Sequence, residues 1–115
     1  MRVVPIRYTA DVAAARRFYL ALGLRPGAES RPGAWVELPA ASGMVALHDA
    51  KDVAAGTCEL AFETDEPLED VARRLRLAGF APGPVLDESH GRSLRVRDPD
   101  GVWVQVNALD RELCT

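Results

Sequence analysis

Between Val102 and Asn107 the chain reads VWVQVN, and its side chains alternate in character without a break. Successive residues of a β-strand point to opposite faces. Val102, Val104 and Val106 therefore take one face, and Trp103, Gln105 and Asn107 the other. The same period of two runs through earlier segments, where Val36 and Leu38, Val45 and Leu47, Leu60 and Phe62, and Leu94 and Val96 mark an apolar face suited to packing under helices. In the first strand Val4, Ile6 and Tyr8 are assigned to that apolar face, which leaves Pro5 and Arg7 opposite. The opposite face carries Trp35, Glu37, Ala46 and His48 early in the chain, then Glu59, Ala61 and Glu63. Later it carries Ser93, Arg95, Arg97, Trp103, Gln105 and Asn107. A tryptophan pairs an apolar body with one polar atom and suits a partly desolvated pocket, so this second face is expected to line a cavity.

The period lengthens twice. Val12, Ala15, Phe18, Tyr19 and Leu22 form one stripe of a helix over 12–22, with Asp11 as N-cap and Gly23 as its stop. Leu68, Val71, Ala72, Leu75 and Ala78 form another over 67–78. There Pro67 suits the first helical position, Glu69 and Asp70 the positive first turn, and Arg73, Arg74 and Arg76 the negative end. The exits match: LGLRPGA at 22–28 and AGFAPGP at 78–84 share Gly, Pro and Gly at equal offsets. An internal duplication follows, with modules of about 1–54 and 55–115 in a single domain. Each module has a strand, a helix and three strands, at 3–9, 24–29, 34–39 and 43–49 and again at 57–64, 82–88, 92–97 and 102–108. Pro39, Ser42 and Gly43, and Asp98 to Gly101, mark two hairpins.

At 115 residues the chain suits one domain, and a net charge of −3 with dispersed arginines argues against a nucleic-acid partner. No apolar run reaches the roughly 20 residues of a membrane helix and no signal-peptide pattern opens the chain, so a cytoplasmic protein is expected. Two cysteines, Cys58 in a strand and Cys114 in the tail, are read as plain thiols, with Cys58 in the core. No glycine loop for phosphate is present, and no serine is linked to a histidine and carboxylate.

The duplicated strand, helix and three strands, the Asp that opens the helix before RRFYLALGL, and the terminal DPDGVWVQV together resemble the vicinal oxygen chelate superfamily, the group of glyoxalase I, extradiol dioxygenases and bleomycin-type resistance proteins. The resemblance covers nearly the whole chain. It implies an α+β fold in which two tandem βαβββ modules form an incompletely closed, eight-stranded mixed barrel with helices outside, paired as a homodimer. In metalloenzymes of the superfamily four ligands come from the first and last strands of each module. Carried onto this chain those positions fall on Val4 or Pro5, on Ala46, on Glu59 and on Gln105. The first two have no donor atom.

The expected function is therefore metal-free binding of an aromatic or antibiotic-like small molecule, with no cofactor. Trp35 and Trp103 would stack on it, and Arg7, Glu37, His48, Glu59, Arg95 and Gln105 would orient its polar groups. The alternative is a lyase, isomerase or dioxygenase acting on a small oxygen-rich substrate. It would use Glu59 as base, or a divalent metal held by His48, Glu59 and Gln105. His90, in the loop DESHGRS, is a further polar group of the kind that borders pockets.

Overall fold

The computed structural model describes residues 1–31 and 33–110; Cys114 lies outside them. The elements in chain order are β1 (Arg2–Val3), β2 (Ile6–Thr9), α1 (Val12–Leu22), β3 (Glu29–Ser30), β4 (Trp35–Ala40), β5 (Gly43–Asp49), β6 (Cys58–Glu59), β7 (Ala61–Glu63), α2 (Leu68–Leu77), β8 (Leu86–Glu88), β9 (Gly91–Arg97) and β10 (Trp103–Leu109). They make an α+β protein with two five-stranded mixed sheets, ordered β3-β4-β5-β2-β6 and β1-β7-β10-β9-β8. The described residues divide into two compact units, Val3–Glu59 and the combination of Met1–Arg2 with Leu60–Asp110.

In the unit Val3–Glu59, β2 runs parallel to β5 and antiparallel to β6, while β4 is antiparallel to β5. Helix α1 begins where the Asp11 carboxylate accepts from the Ala14 amide at 2.9 Å, as N-caps do. It ends at Gly23, whose φ of 124° few other residues tolerate. Val12 packs with Val36, Leu38 and Leu47, and Ala15, Tyr19, Leu20, Leu24 and Val45 surround them. Leu38 and Leu47 are completely buried, which stabilises by roughly 1.5–3 kcal/mol each relative to exposure.

In the other unit, α2 brings Leu68, Val71 and Ala72 onto Leu94 and Val106, with Phe62, Leu75 and Val85 packed around. Pro67 is the N-cap and the helix starts at Leu68, one position later than expected. Ion pairs fix the helix to its surroundings. Arg74 donates to Glu66 at 2.9 Å, and Arg92 of β9 donates to both carboxylate oxygens of Glu69, reaching Oε2 at 3.2 Å.

Four expectations are corrected. The strands expected at 24–29 and 82–88 shrink to Glu29–Ser30 and Leu86–Glu88, because Pro26, Pro82 and Pro84 have no N–H for a ladder. The coil beside them still bonds to the neighbouring strands through Arg25 N to Pro39 O, Glu37 N to Ala28 O and Gly83 N to Arg95 O, each at 2.8 Å. The first strand is interrupted at Val4 and Pro5, and the fifth at Leu60, so Leu60 is exposed rather than in the core. Val102 precedes β10, and Phe18 and Leu22 lie outside the α1 contact stripe, which turns Leu20 inward instead; all three are exposed.

The fourth correction concerns the face of the first strand. Ile6 is in register with Ala46, Arg7 with Leu47 and Tyr8 with His48. Partners in register point to the same side of a sheet. Ile6 and Tyr8 therefore share the face of Ala46 and His48, and Arg7 shares the helix-side face of Leu47. Val4, Ile6 and Tyr8 are buried, as an apolar strand should be, but Ile6 and Tyr8 are buried on the opposite side from the α1 core.

Candidate functional site

Register places the side chains of the second face of β4, β5, β2 and β6 in rows across the sheet. One row runs Glu37, Ala46, Ile6, Glu59; the next runs Trp35, His48, Tyr8. The second row is a ladder of rings. Trp35 and His48 have centroids 6.0 Å apart at 82°, and Tyr8 and His48 are 5.2 Å apart at 42°. Each outer ring is held by a carboxylate of the first row: Trp35 Nε1 donates to Glu37 Oε2 at 3.1 Å and Tyr8 OH donates to Glu59 Oε2 at 2.7 Å. Glu37 is buried, while Trp35, His48 and Glu59 are half-buried. Buried polar groups need such partners, and here the partners also fix two aromatic planes.

The central ring is oriented from its own strand. His48 Nδ1 lies 2.8 Å from the Asp49 carbonyl oxygen and 3.0 Å from Asp49 Oδ1, and Lys51 reaches the other oxygen of that carboxylate at 3.7 Å. Arg7 is not part of this group. It lies on the helix-side face, and its guanidinium donates to the Tyr8 carbonyl.

The other sheet has its own polar face, built by β7, β10 and β9. Trp103 is in register with Arg97, Gln105 with Arg95 and Ala61, and Asn107 with Ser93 and Glu63. The Arg97 guanidinium lies 4.6 Å from the Trp103 ring centroid, a cation–π contact that leaves the indole 47% exposed. Deeper on this face, Glu63, Ser93, Gln105 and Asn107 are buried. Asn107 Nδ2 donates to Gln105 Oε1 at 3.0 Å and Ser93 Oγ donates to Glu88 Oε1 at 2.9 Å. The Asn107 Oδ1 atom is buried with no described donor.

The expected site residues thus fall into two groups. Trp35, Glu37, His48 and Glu59 are brought together on one sheet, and Arg95, Trp103 and Gln105 share a face of the other. Glu59 is engaged by a phenol hydroxyl. Cys58, expected in the core, is exposed, because β6 is only two residues long and ends its sheet. His90 is half-buried in the turn before β9, where its carbonyl accepts from the Asp110 amide at 2.8 Å. Sequence reasoning missed Tyr8, whose period matched a core strand, and Asp49, whose adjacency to His48 was the available signal.

Among the described residues no group of three or more His, Cys, Asp and Glu side chains is placed to hold a metal ion. No described helix is long and apolar enough to cross a membrane.

No family sequence model and no curated protein matches the chain. Solved structures do. A protein from Legionella pneumophila described as an NAD-dependent benzaldehyde dehydrogenase superposes with a TM-score of 0.75 at 18% identity, over 94% of this chain and 99% of that one. A glyoxalase/bleomycin resistance protein/dioxygenase superfamily member from Vibrio splendidus 12B01 superposes with a TM-score of 0.63 at 19% identity, over 91% of this chain and 95% of that one. Two mixed sheets, each with a helix on one face and buried polar groups on the other, define an α+β protein that keeps a sheet face for polar chemistry. Its fold is that of the glyoxalase/bleomycin resistance/dioxygenase superfamily, the vicinal oxygen chelate fold. A shared fold assigns no activity, so the side chains must carry the functional reading.

Proposed function

We propose that the protein binds a planar aromatic or antibiotic-like small molecule against the Trp35, His48 and Tyr8 rings, without a metal, and sequesters it rather than transforming it. The ring ladder is the observation that carries this reading. Its two outer planes are locked by Glu37 and Glu59, so little side-chain freedom is lost when a flat ligand stacks, and preorganisation of this kind raises affinity. Polar groups of the ligand would be oriented by His48 and Glu59; Arg95, Trp103 and Gln105 form a separate polar face on the other sheet.

The residues do not fit a metal. Val4 or Pro5, and Ala46, at two of the four positions the resemblance implies for ligands, carry no donor side chain, and Val4 and Ala46 are buried. In the row Glu37, Ala46, Ile6, Glu59 the two carboxylates stand three strands apart, roughly 14 Å between Cα atoms at about 4.8 Å per strand, too far to share one ion. The proposal includes the barrel of two βαβββ modules and the homodimer that the resemblance implies, and the cytoplasmic setting expected from the sequence.

The test is saturable quenching of tryptophan fluorescence by a panel of flat aromatics in wild type, Trp35→Leu and Trp103→Leu. Quenching is expected to saturate in wild type and to weaken at least tenfold in apparent affinity in Trp35→Leu. An unresponsive wild type across the panel would overturn the reading.

A further inference from the structure

Both groups beside Nδ1 of His48, the Asp49 carbonyl at 2.8 Å and the Asp49 carboxylate at 3.0 Å, are acceptors. The ring proton must therefore sit on Nδ1, and in the neutral imidazole Nε2 keeps its lone pair. No described residue bonds Nε2, and the side chain is 38% exposed. In its neutral form the ring thus offers an acceptor of fixed tautomer in the middle of the row, with Trp35 on one side and Tyr8 on the other.

We propose that the ligand of this face is a hydroxyaromatic compound whose phenolic O–H donates to His48 Nε2 while its rings lie against Trp35 and Tyr8. The proposal rests on the aromatic-binding reading above and names the class of ligand within it. Three features select that class. The flanking rings favour a flat π-system. Nε2 accepts and does not donate, so it rewards a ligand hydroxyl and gives nothing to an ether or carbonyl oxygen. A ligand that covers Nε2 without supplying a donor leaves a desolvated, unpaired acceptor, and that carries a penalty beyond the lost bond. Asp49 is a positioning residue here: it fixes which nitrogen is left to accept.

Calorimetric titration of the full chain at pH 8 with 2-naphthol and with 2-methoxynaphthalene, its methyl ether, separates the possibilities. The two probes share the ring system and differ in the hydroxyl proton. Wild type is expected to bind the naphthol about five- to tenfold more tightly than the ether, the worth of one hydrogen bond that the ether leaves unmade. In His48→Phe, which keeps a ring in the row, the two should bind alike, and the ether should bind more tightly than it does to wild type because no acceptor is left desolvated beneath it. Equal affinities in wild type would overturn the phenol assignment and leave aromatic binding standing. A preference that persists in His48→Phe would overturn His48 as the acceptor. Failure of both probes to bind wild type would overturn both readings.

Discussion

Gly27 and Gly83 occupy equivalent places in the two repeated exits, yet their surroundings differ. A Cβ at Gly27 would lie 2.4 Å from the Glu37 carbonyl oxygen and 2.7 Å from Pro39 Cδ, a contact with β4 backbone that cannot rotate away. The nearest atom to a Cβ at Gly83 is the Arg95 carbonyl oxygen at an ordinary 3.5 Å. Gly27→Ala is therefore expected to cost about 1–3 kcal/mol, read as a lower urea midpoint at unchanged slope, by the overpacking it forces. Gly83→Ala should stay within about 1 kcal/mol of wild type, because alanine also narrows the unfolded ensemble. Equal losses in both would mean that the repeat, and not the local contact, sets the requirement. The Gly27 contact bears on the site as well, since Glu37 holds the Trp35 ring from the same strand.

At the scale of elements, α2 depends on charge as well as packing. The Arg74 guanidinium bonded to Glu66 holds that carboxyl below its ordinary 4.5, and Arg92 does the same for Glu69. Carboxyls lowered in the folded state contribute stability above their unfolded value, and the contribution is lost as pH falls through the folded one. A Glu66→Gln, Glu69→Gln double variant should differ from wild type by a constant urea midpoint between pH 6 and 8. That difference should close as pH drops below about 4.5, where the wild-type carboxyls also become neutral. Both pairs are exposed, so the gap is expected to be small and to shrink with added salt. Helix limits were largely legible in the sequence because their signals are local: Asp11 and Gly23 bracket α1, and the apolar period of α2 needs no distant partner. Strand faces are less local. Val3, Val4, Pro5 and Ile6 offer no alternation, and only the pairing of Tyr8 with His48 decides which way the strand is turned. The Tyr8 bond to Glu59 spans 51 residues of chain, and no local window contains both ends.

For the molecule as a whole, the repeated exits and the terminal DPDG strand were sufficient to reach the fold, because they register the same turn chemistry twice. They were not sufficient for the site, which depends on what stands opposite what. Arg7 leaves the candidate group and Tyr8 joins it for that reason alone. A further consequence comes from the ends of the sheets. The terminal strands β1, β3 and β6 have two residues each and β8 has three, while the seven-residue strands β5, β9 and β10 lie inside. A growing fibril recruits a folded protein by laying a new strand along an unsatisfied row of N–H and C=O groups. Rows this short offer an incoming chain only one or two ladder bonds. Native protein held at high concentration should therefore stay free of thioflavin-positive aggregate, and fibril growth, when urea near the midpoint provokes it, should track the unfolded fraction. Conversion of fully folded protein at a rate independent of unfolding would contradict this. Short outer strands give this protein a form of colloidal safety that its modest net charge does not supply.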